Sequence, residues 1–324
     1  MRRAMASAEV ADEQRRLDPT VNALQERVAE LLGHEAALFL PSGTMCNQIA
    51  IRLLTRPGDE VVLERFSHPI IAEAGGPAAH SGVMMQPIDG EGGMFTAAQV
   101  EASLRPHDDR YSARSRLVCV EQTTNYGGGR VWPRERVDEV VDVARANDLR
   151  AHMDGARLMN AVVASGTSAA GFAAGFDTAW LDFTKGLGAP VGACLVASAE
   201  LIDEAWRFKQ MMGGALRQAG IVAAAGLYAL DHNVERIAED HENARALAEG
   251  IAELPGARID PAKVDTNIVI FEVDDPARVV TALAERGVEM GTMGPGRIRA
   301  VTHLDVDRAG VDRALSALSD ILGA

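Results

Sequence analysis

Short apolar runs alternate with amphipathic stretches through the first two thirds of the chain. In residues 20–32 the apolar positions Val21, Leu24 and Val28 share one helical face, and Gly33 follows as the expected end of that helix. The apolar runs after this helix have the length of buried strands. The predicted strands are 36–40, 60–63, 117–121, 149–153, 178–183 and 192–197, with helices at 44–54 and 134–147 between them. This alternation predicts an α/β fold with a mostly parallel sheet flanked by helices on both faces.

The last third of the chain has a different pattern. A long helical region covers 199–253, and its last part is a charged helix that ends near Pro255. After it come a strand at 267–272, a helix at 276–286, a strand at 297–302 and a helix at 308–322. This order predicts a large α/β domain at 1–230 and a smaller C-terminal α+β domain at 231–324.

Composition narrows the class of protein. The chain has 324 residues, of which 47% are hydrophobic, so it can bury a sizeable core. Its formal net charge of -14 disfavours a nucleic-acid-binding protein and a protein that docks to an anionic membrane. The sequence contains no run of 18 apolar residues, and no apolar segment follows Arg2 and Arg3 as it would in a signal peptide. We therefore expect a cytoplasmic protein.

The cysteines and histidines do not predict a disulfide framework or a metal site. Cys46, Cys119 and Cys194 lie far apart in the sequence, and no CxxC pair is present. The histidines form no HExxH motif, so no zinc site is expected. The chemistry is expected to come from other residues.

Polar residues that follow predicted strands carry the strongest chemical signal. Asp154 and Arg157 come directly after the strand at 149–153, and Lys185 follows the strand at 178–183. In open α/β sheets, ligands bind at the carboxyl ends of the strands, so these side chains are expected to meet at one site. An aspartate can hold a pyridinium nitrogen, and a lysine can form an imine with an aldehyde. Together they indicate pyridoxal phosphate (PLP) as a cofactor.

Each of these three residues also has an ordinary structural explanation. Asp154 is placed where a helix N-cap would be. Arg157 could form a surface ion pair, and Lys185 could be a solvated lysine at a strand end. Gly186 and Gly188 favour a site at Lys185, because glycine lets a ligand approach the backbone closely. Spacing alone leaves both explanations open.

Five further residues are candidates for the same site. Ser42, Gly43 and Thr44 precede a predicted helix, where free N–H groups and hydroxyls can bind a phosphate, although helix capping is the alternative. His68 could stack on an aromatic cofactor or act as an acid–base group, or it could be structural. Arg299 lies on a predicted C-terminal strand and could reach a substrate carboxylate or be a solvated charge at the edge of the sheet.

Seven blocks of the sequence, taken in order, resemble the L-threonine aldolase family of fold-type I PLP enzymes, which belongs to the aromatic amino acid β-eliminating lyase superfamily. The blocks are 17–22, 41–45, 152–161, 185–192, 213–220, 239–241 and 301–303. The most specific are DGAR at 154–157 and KGLGAPVG at 185–192. The resemblance covers nearly the whole chain and implies a fold-type I PLP-dependent transferase-like fold.

The resemblance also implies roles for the candidate residues. The residues expected to bind the cofactor are Ser42, Gly43, Thr44, His68, Asp154, Arg157, Lys185 and Arg217, the last from a neighbouring subunit. Lys185 would bind the cofactor aldehyde, Asp154 would contact the pyridine nitrogen, and His68 would lie over the ring. These three are expected to be catalytic. Arg157 and Arg299 would clamp the carboxylate of the substrate.

The family reaction is the retro-aldol cleavage of β-hydroxy-α-amino acids such as L-threonine and L-allo-threonine to glycine and an aldehyde. The resemblance therefore implies a lyase of threonine catabolism with a small-molecule substrate. It also implies a homo-oligomer, a tetramer or a dimer, with active sites between subunits. Two alternatives stay open: a β-eliminating lyase or phenylserine-type aldolase on the same fold, and a relative that keeps the fold without activity.

The sequence departs from the family pattern at three places. Thr124 stands where many members have a histidine, so Thr124 is expected near the β-hydroxyl, and the preferred β-configuration stays open. Arg15 and Arg16 precede Leu17 where the family often has a Tyr-Gly pair. The chain also starts downstream of a segment that members usually carry, which raises the expectation of a truncated start.

Overall fold

The computed structural model describes residues 1–106 and 108–323. A seven-stranded sheet forms the centre of the larger part of the molecule. Its strands are β1 Ala36–Leu40, β2 Asp59–Glu64, β3 Met84–Ile88, β4 Arg114–Glu121, β5 Arg150–Asp154, β6 Thr178–Asp182 and β7 Ala193–Ala197. Their order across the sheet is β1-β7-β6-β5-β4-β2-β3.

The middle of this sheet is parallel. β2 pairs in parallel with β3 and β4, and β5 pairs in parallel with β4 and β6. β7 is antiparallel to both of its neighbours, β6 and β1. The predicted mostly parallel sheet is confirmed, and the carboxyl ends of β4, β5 and β6 lie side by side at one edge. β3 was not predicted, because this edge strand is short, only partly buried and contains Pro87.

The predicted helices are present, with small differences at their ends. The α-helices of the described residues are α1 Arg2–Ala6, α2 Pro19–Leu32, α3 Gly43–Leu54, α4 His68–Ile71, α5 Gly76–Ser81, α6 Ala97–Ser103, α7 Arg134–Ala146, α8 Leu158–Ser165, α9 Ala169–Ala173, α10 Ala199–Met211, α11 Gly220–His232, α12 Ile237–Ala252, α13 Pro276–Ala284 and α14 Arg308–Leu322. Short 3₁₀ turns lie at Glu13–Arg15 and Pro261–Lys263. The long helical region predicted at 199–253 is thus three helices, α10, α11 and α12.

Helix α2 shows why a predicted helix forms where it does. The Asp18 carboxylate accepts hydrogen bonds from the backbone N–H groups of Thr20 and Val21, each at 3.1 Å. Pro19 occupies the first turn, where its missing N–H costs nothing. The helix ends at Gly33, whose φ of 69° lies in the left-handed region that favours glycine. The predicted helix and its glycine end are confirmed.

Helices cover both faces of the large sheet. In β1, Ala37 and Phe39 belong to one apolar core, which includes the buried face of α2. Leu38 and Leu40 point to the opposite face and belong to a second core with α3 and α10. Because every strand residue from 37 to 40 is buried, the sheet is a central layer between two layers of helices.

A second, antiparallel sheet lies in the C-terminal part of the chain. Its strands are β8 Ile268–Glu272, β9 Gly291–Thr292 and β10 Arg297–Val301, in the order β8-β10-β9. α12, α13 and α14 pack against it around a separate apolar core that includes Val269, Phe271 and Leu318. The predicted C-terminal strands and helices are confirmed, and the domain boundary at residue 231 stays a prediction.

Among the described residues, no helix combines the length and the apolar character that crossing a membrane requires. Within the same part of the chain, no cluster of three or more His, Cys, Asp or Glu side chains is arranged to hold a metal ion. Cys46, Cys119 and Cys194 are buried free thiols.

Candidate active site

A cavity of about 490 Å³ opens at the carboxyl ends of β4, β5 and β6. The residues that line it are Pro41, Ser42, Gly43, Thr44, His68, Glu121, Asn125, Asp154, Ala156, Arg157, Trp180, Asp182, Thr184, Lys185, Pro190, Val191 and Arg299. Eight of the ten residues that the sequence proposed for the site are in this set. The edge of a parallel sheet thus brings together side chains that are up to about 260 positions apart, as expected for an α/β fold.

Asp154 ends β5 and is 3% exposed. One carboxylate oxygen accepts a hydrogen bond from Asn47 Nδ2 at 2.8 Å, and the other accepts from the backbone N–H of Ala156 at 3.0 Å. Asp154 is not the cap of the following helix, because α8 begins at Leu158 with Arg157 as its N-cap residue. Burial raises the pKa of Asp154, which the hydrogen bond from Asn47 opposes. A cationic group placed against this carboxylate would offset the cost of its burial.

Asn47, on α3, fixes the position of Asp154 and of two buried rings. Its Oδ1 accepts from Trp180 Nε1 at 2.7 Å and contacts His152 Nε2 at 3.0 Å. An indole nitrogen can only donate, so the amide oxygen must face Trp180 and the amide nitrogen must face the carboxylates. Burial lowers the pKa of His152 to about 3, so this ring is neutral and donates from Nε2.

His68 begins α4 and has one ring nitrogen in a hydrogen bond. Its Nδ1 lies 2.8 Å from Oε1 of Glu73, which is a buried carboxylate outside the cavity. The hydrogen bond to Glu73 is the main reason that the pKa of His68 is raised. Nε2 is therefore the nitrogen left for the cavity, which His68 lines.

Glu121 ends β4 and holds two segments of the cavity wall. Its carboxylate accepts from the backbone N–H of His68 at 2.9 Å and from that of Asn125 at 2.5 Å. Burial and then the nearby charge of Asp154 raise the pKa of Glu121 to about 7. One carboxyl group thus connects the start of α4, at His68, to the loop that contains Asn125.

Lys185 follows β6 and points into the cavity. Its Nζ lies 2.6 Å from Oδ2 of Asp182 and 5.9 Å from the centre of the Trp180 ring. Asp182 is also held by Thr184, whose backbone N–H and hydroxyl donate to Oδ1 at 2.6 and 2.7 Å. The amine is the one cavity-lining lysine among the described residues, which favours the chemical role over a solvated lysine.

Arg157 and Arg299 bring two positive charges to the same cavity. Arg157 is 8% exposed, and its Nη1 donates to Oδ1 of Asn125 at 3.3 Å. The buried Nε atoms of Arg157 and Arg299 have no hydrogen-bond partner among the described residues. Burial and then the charge of Arg299 lower the pKa of Arg157 to about 10. Arg157 is therefore not a surface ion pair, and the two guanidiniums have N–H groups that could bind an anion.

The N-terminus of α3 forms another wall of the cavity. Ser42 caps the helix, since its Oγ accepts from the backbone N–H of Met45 at 3.2 Å. At Gly43 a Cβ atom would lie 2.2 Å from Cη2 of Trp180, so only glycine lets the helix start approach the indole. Gly43 and Thr44 line the cavity at the helix end where free N–H groups attract anions.

The family of the chain follows from comparison with known proteins. Residues 1–275, well over half of the chain, match the family model described as beta-eliminating lyase. The chain belongs to the beta-eliminating lyase family. The resemblance found in the sequence is confirmed.

Relatives in this family include threonine aldolases. The chain is 40% identical to the low specificity L-threonine aldolase of Escherichia coli (strain K12) over 309 residues, which are 95% of this chain and 91% of that protein. It is 34% identical to low-specificity L-threonine aldolase 1 of Arabidopsis thaliana over 330 residues, which are 99% of this chain and 92% of that protein. The solved structure of the Leishmania major threonine aldolase matches with a TM-score of 0.82 at 19% identity and covers 98% of this chain and 93% of that chain. This last likeness confirms the predicted fold class.

Two predicted residues do not line the cavity within the part of the chain that the structure describes. Thr124 is buried, and its Oγ1 accepts from the backbone N–H of Arg130 at 3.2 Å, while the next residue, Asn125, reaches the cavity. Arg217 has a 63% exposed side chain and pairs with Asp12 at 3.0 Å. The roles given to Thr124 and Arg217 stay predictions.

Sequence reasoning missed four residues that hold candidate site residues in place. They are Asn47, Glu73, Glu121 and Asp182. Glu121 ends one predicted strand and Asp182 is the last residue but one of another, so the rule that strand ends carry sites would have found them. Asn47 and Glu73 gave no comparable signal, because Asn47 lies inside helix α3 and Glu73 follows the four-residue helix α4.

Proposed function

We propose that this protein is a PLP-dependent aldehyde-lyase that cleaves threonine-like β-hydroxy-α-amino acids to glycine and an aldehyde. The observation that carries the proposal is one cavity that contains the buried Asp154, the amine of Lys185 and the two unsatisfied guanidiniums of Arg157 and Arg299. The reaction places the enzyme in amino acid metabolism, as a step of threonine catabolism that yields glycine.

The residues present fit PLP. The amine of Lys185 and the carboxylate of Asp154 follow neighbouring strands, and the N-terminus of α3 offers a phosphate site at Gly43 and Thr44. Ser42 and His68 complete the wall, with His68 positioned to lie against the ring. When bound, PLP supplies an aldehyde that condenses with amines and a ring that withdraws electrons from Cα.

Each charged group of the site has a separate task. Asp154 would accept a hydrogen bond from the ring nitrogen of the cofactor and so favour its protonated form. Lys185 would hold the cofactor through its amine, and Asp182 accepts a hydrogen bond from Nζ. His68 exchanges a proton with the β-oxygen through Nε2.

Arg157 and Arg299 determine how the substrate is oriented. A guanidinium can bind a carboxylate through two parallel hydrogen bonds, and both Nε–H groups are free to do so. A clamped carboxylate would fix the rotation about the bond between Cα and the amine nitrogen, and so hold the Cα–Cβ bond perpendicular to the ring. Only the bond in that position is weakened by the ring.

The products identify the reaction. PLP-loaded enzyme is incubated with L-threonine, L-allo-threonine and phenylserine, and glycine, aldehyde, ammonia and keto acid are quantified. The proposal predicts glycine and acetaldehyde from the threonine isomers, with Lys263→Ala as an active control because Lys263 is exposed and outside the cavity. Ammonia and a keto acid would mean β-elimination, and no product from an enzyme that binds PLP would mean an inactive relative.

The oligomer is a second part of the proposal. Around Arg217, the apolar side chains of Met211, Leu216 and Ile221 are 74%, 37% and 46% exposed, which supports a covered surface in a homotetramer or homodimer. In this arrangement Arg217 would reach the cofactor phosphate of a neighbouring subunit. Mixing inactive Lys185→Ala with inactive Arg217→Ala subunits should then restore activity, because a mixed site has both residues. Failure of the mixed oligomer to regain activity would place Arg217 outside the neighbouring site.

A further inference from the structure

Glu73 is a buried carboxylate that lies behind the cavity, between α4 and α5. It is 5% exposed and is not one of the residues that line the cavity. Oε1 accepts from Asn47 Nδ2 at 2.7 Å and contacts His68 Nδ1 at 2.8 Å, and Oε2 accepts from Gln48 Nε2. The proposed reaction gives this carboxylate no direct role.

The contacts of Glu73 fix the proton on one ring nitrogen of His68. Asn47 and Gln48 present amide N–H groups, which can only donate, so both oxygens of Glu73 act as acceptors. The His68 Nδ1 that meets Oε1 must then carry a proton. The neutral ring is held as the Nδ1–H tautomer, and Nε2 is the nitrogen that titrates.

The charges around His68 favour a second proton on the ring. The Asn47 amide nitrogen bridges Glu73 and Asp154, at 2.7 and 2.8 Å, so two carboxylates share one neutral donor. Glu121 faces His68 from β4, where it accepts the backbone N–H at 2.9 Å. Lys185, Arg157 and Arg299 are the cations that line the same cavity. Three carboxyl groups thus lie near the imidazole. The pKa of His68 is raised, mainly by the hydrogen bond to Glu73, although burial opposes this.

We propose that Glu73 is a positioning residue that fixes the Nδ1–H tautomer of His68 and favours a second proton on Nε2, the ring nitrogen left for the cavity. The catalytic meaning of this assignment rests on the proposed function. His68 would give its Nε2 proton to a carbonyl oxygen in the direction of carbon–carbon bond formation. In the cleavage direction it accepts the β-hydroxyl proton only after Nε2 has lost its own.

The test is an NMR titration of His68 in the full chain, first without added cofactor. Ring ¹⁵N-labelled histidine is followed against pH, and the His68 signals are assigned from their loss in His68→Asn. Glu73→Gln keeps the size of the side chain and removes its charge, so the midpoint of His68 should fall by about one pH unit or more. Glu60→Gln is the matched control, because Glu60 is also buried but bonds to Ser115 at 3.1 Å at the far end of β2. An unchanged midpoint in Glu73→Gln would overturn the proposal.

Two further measurements keep the test decisive if Glu73→Gln does not fold. The ¹⁵N shifts of the unaltered chain above the midpoint should show a protonated Nδ1 and an unprotonated Nε2, and the reverse tautomer would contradict the assignment. Glu73→Asp keeps the charge and should recover part of the midpoint shift. These NMR measurements need no turnover. They can therefore support the role of Glu73 even if the proposed reaction is wrong, and they can contradict that role even if the proposed reaction is right.

The active enzyme gives an independent readout. In Glu73→Gln the acidic limb of the kcat/KM profile for threonine cleavage should move to lower pH, in step with the NMR midpoint, while KM changes less than kcat. If Glu73 had a purely structural role, Glu73→Gln would lower the amount of active enzyme and leave the acidic limb of the profile at the same pH.

Discussion

Asn47 joins four buried groups, and its replacement by alanine tests the network that supports the site. The side chain is fully buried, and it contacts Asp154, Glu73, His152 and Trp180. We expect Asn47→Ala to lower the free energy of unfolding by about 4 kcal/mol. The change also removes the hydrogen bond that opposes the raised pKa of Asp154.

The expected loss of stability depends on which partners of Asn47 keep another hydrogen bond after the substitution. Asp154 keeps the N–H of Ala156, and Glu73 keeps His68, so neither carboxylate is stranded. The donor nitrogens of Trp180 and His152 lose their partner, and each unsatisfied buried donor costs roughly 1–3 kcal/mol. Two such donors at about 2 kcal/mol each give the expected total.

The assay is urea unfolding of the full chain without added cofactor, followed by circular dichroism. Asn22→Ala is the control, because Asn22 makes one exposed hydrogen bond, to the carbonyl oxygen of Arg16 at 3.0 Å, and should lose less than about 1 kcal/mol. If Asn47→Ala lowered the free energy of unfolding no more than this control does, the buried hydrogen bonds of Asn47 would not stabilise the site, and the reasoning would be refuted.

Three further predictions concern single groups of the site. In Gly43→Ala the new Cβ would meet the Trp180 ring at 2.2 Å, so Tm and PLP affinity should both fall, whereas Gly291→Ala, with open space around it, should change neither. The pKa of Glu121 is about 7 in the folded protein, against 4.5 in the unfolded chain. The protonated group therefore stabilises the fold at low pH, and up to roughly 3 kcal/mol of this stabilisation is lost as pH rises from 4.5 to about 7. Urea unfolding of Glu121→Gln at about pH 5 and about pH 7.5 should show this part of the pH dependence removed, and a slope equal to that of the unaltered protein would contradict it. Arg299→Lys should raise KM for threonine roughly tenfold to a hundredfold, because an ammonium cannot bind a carboxylate as a two-point fork, while Arg297→Lys, outside the cavity, should leave KM unchanged in steady-state assays.

Residues at strand ends could be predicted from the sequence. The apolar runs before Asp154 and Lys185 have the period and length of buried strands, and the carboxyl ends of parallel strands meet at one edge. The alternatives for these residues could be decided only by burial and contacts. Asp154 is buried against Asn47, and Lys185 lies in the cavity with Asp182.

The residues that orient the site could not be predicted in the same way. Asn47 lies in the middle of α3, where its neighbours predict a helix and nothing indicates that the amide faces two carboxylates. Glu73 meets His68 five residues later, just after the four-residue helix α4, and such a contact depends on the local chain geometry there, which no periodicity encodes. These contacts join elements that are far apart in the sequence or irregular in shape.

Attachment of PLP to one particular lysine tests the proposed chemistry most directly. The chain has three lysines, Lys185, Lys209 and Lys263, of which Lys209 is buried in an ion pair with Glu13 and Lys263 is exposed outside the cavity. PLP-loaded protein is reduced with borohydride, which fixes the cofactor to the amine that binds it, and the modified peptide is located by mass spectrometry. We predict stoichiometric modification of Lys185 and no modification of the other two. Modification of Lys263, or of no lysine, would contradict the assignment of this cavity as the PLP site.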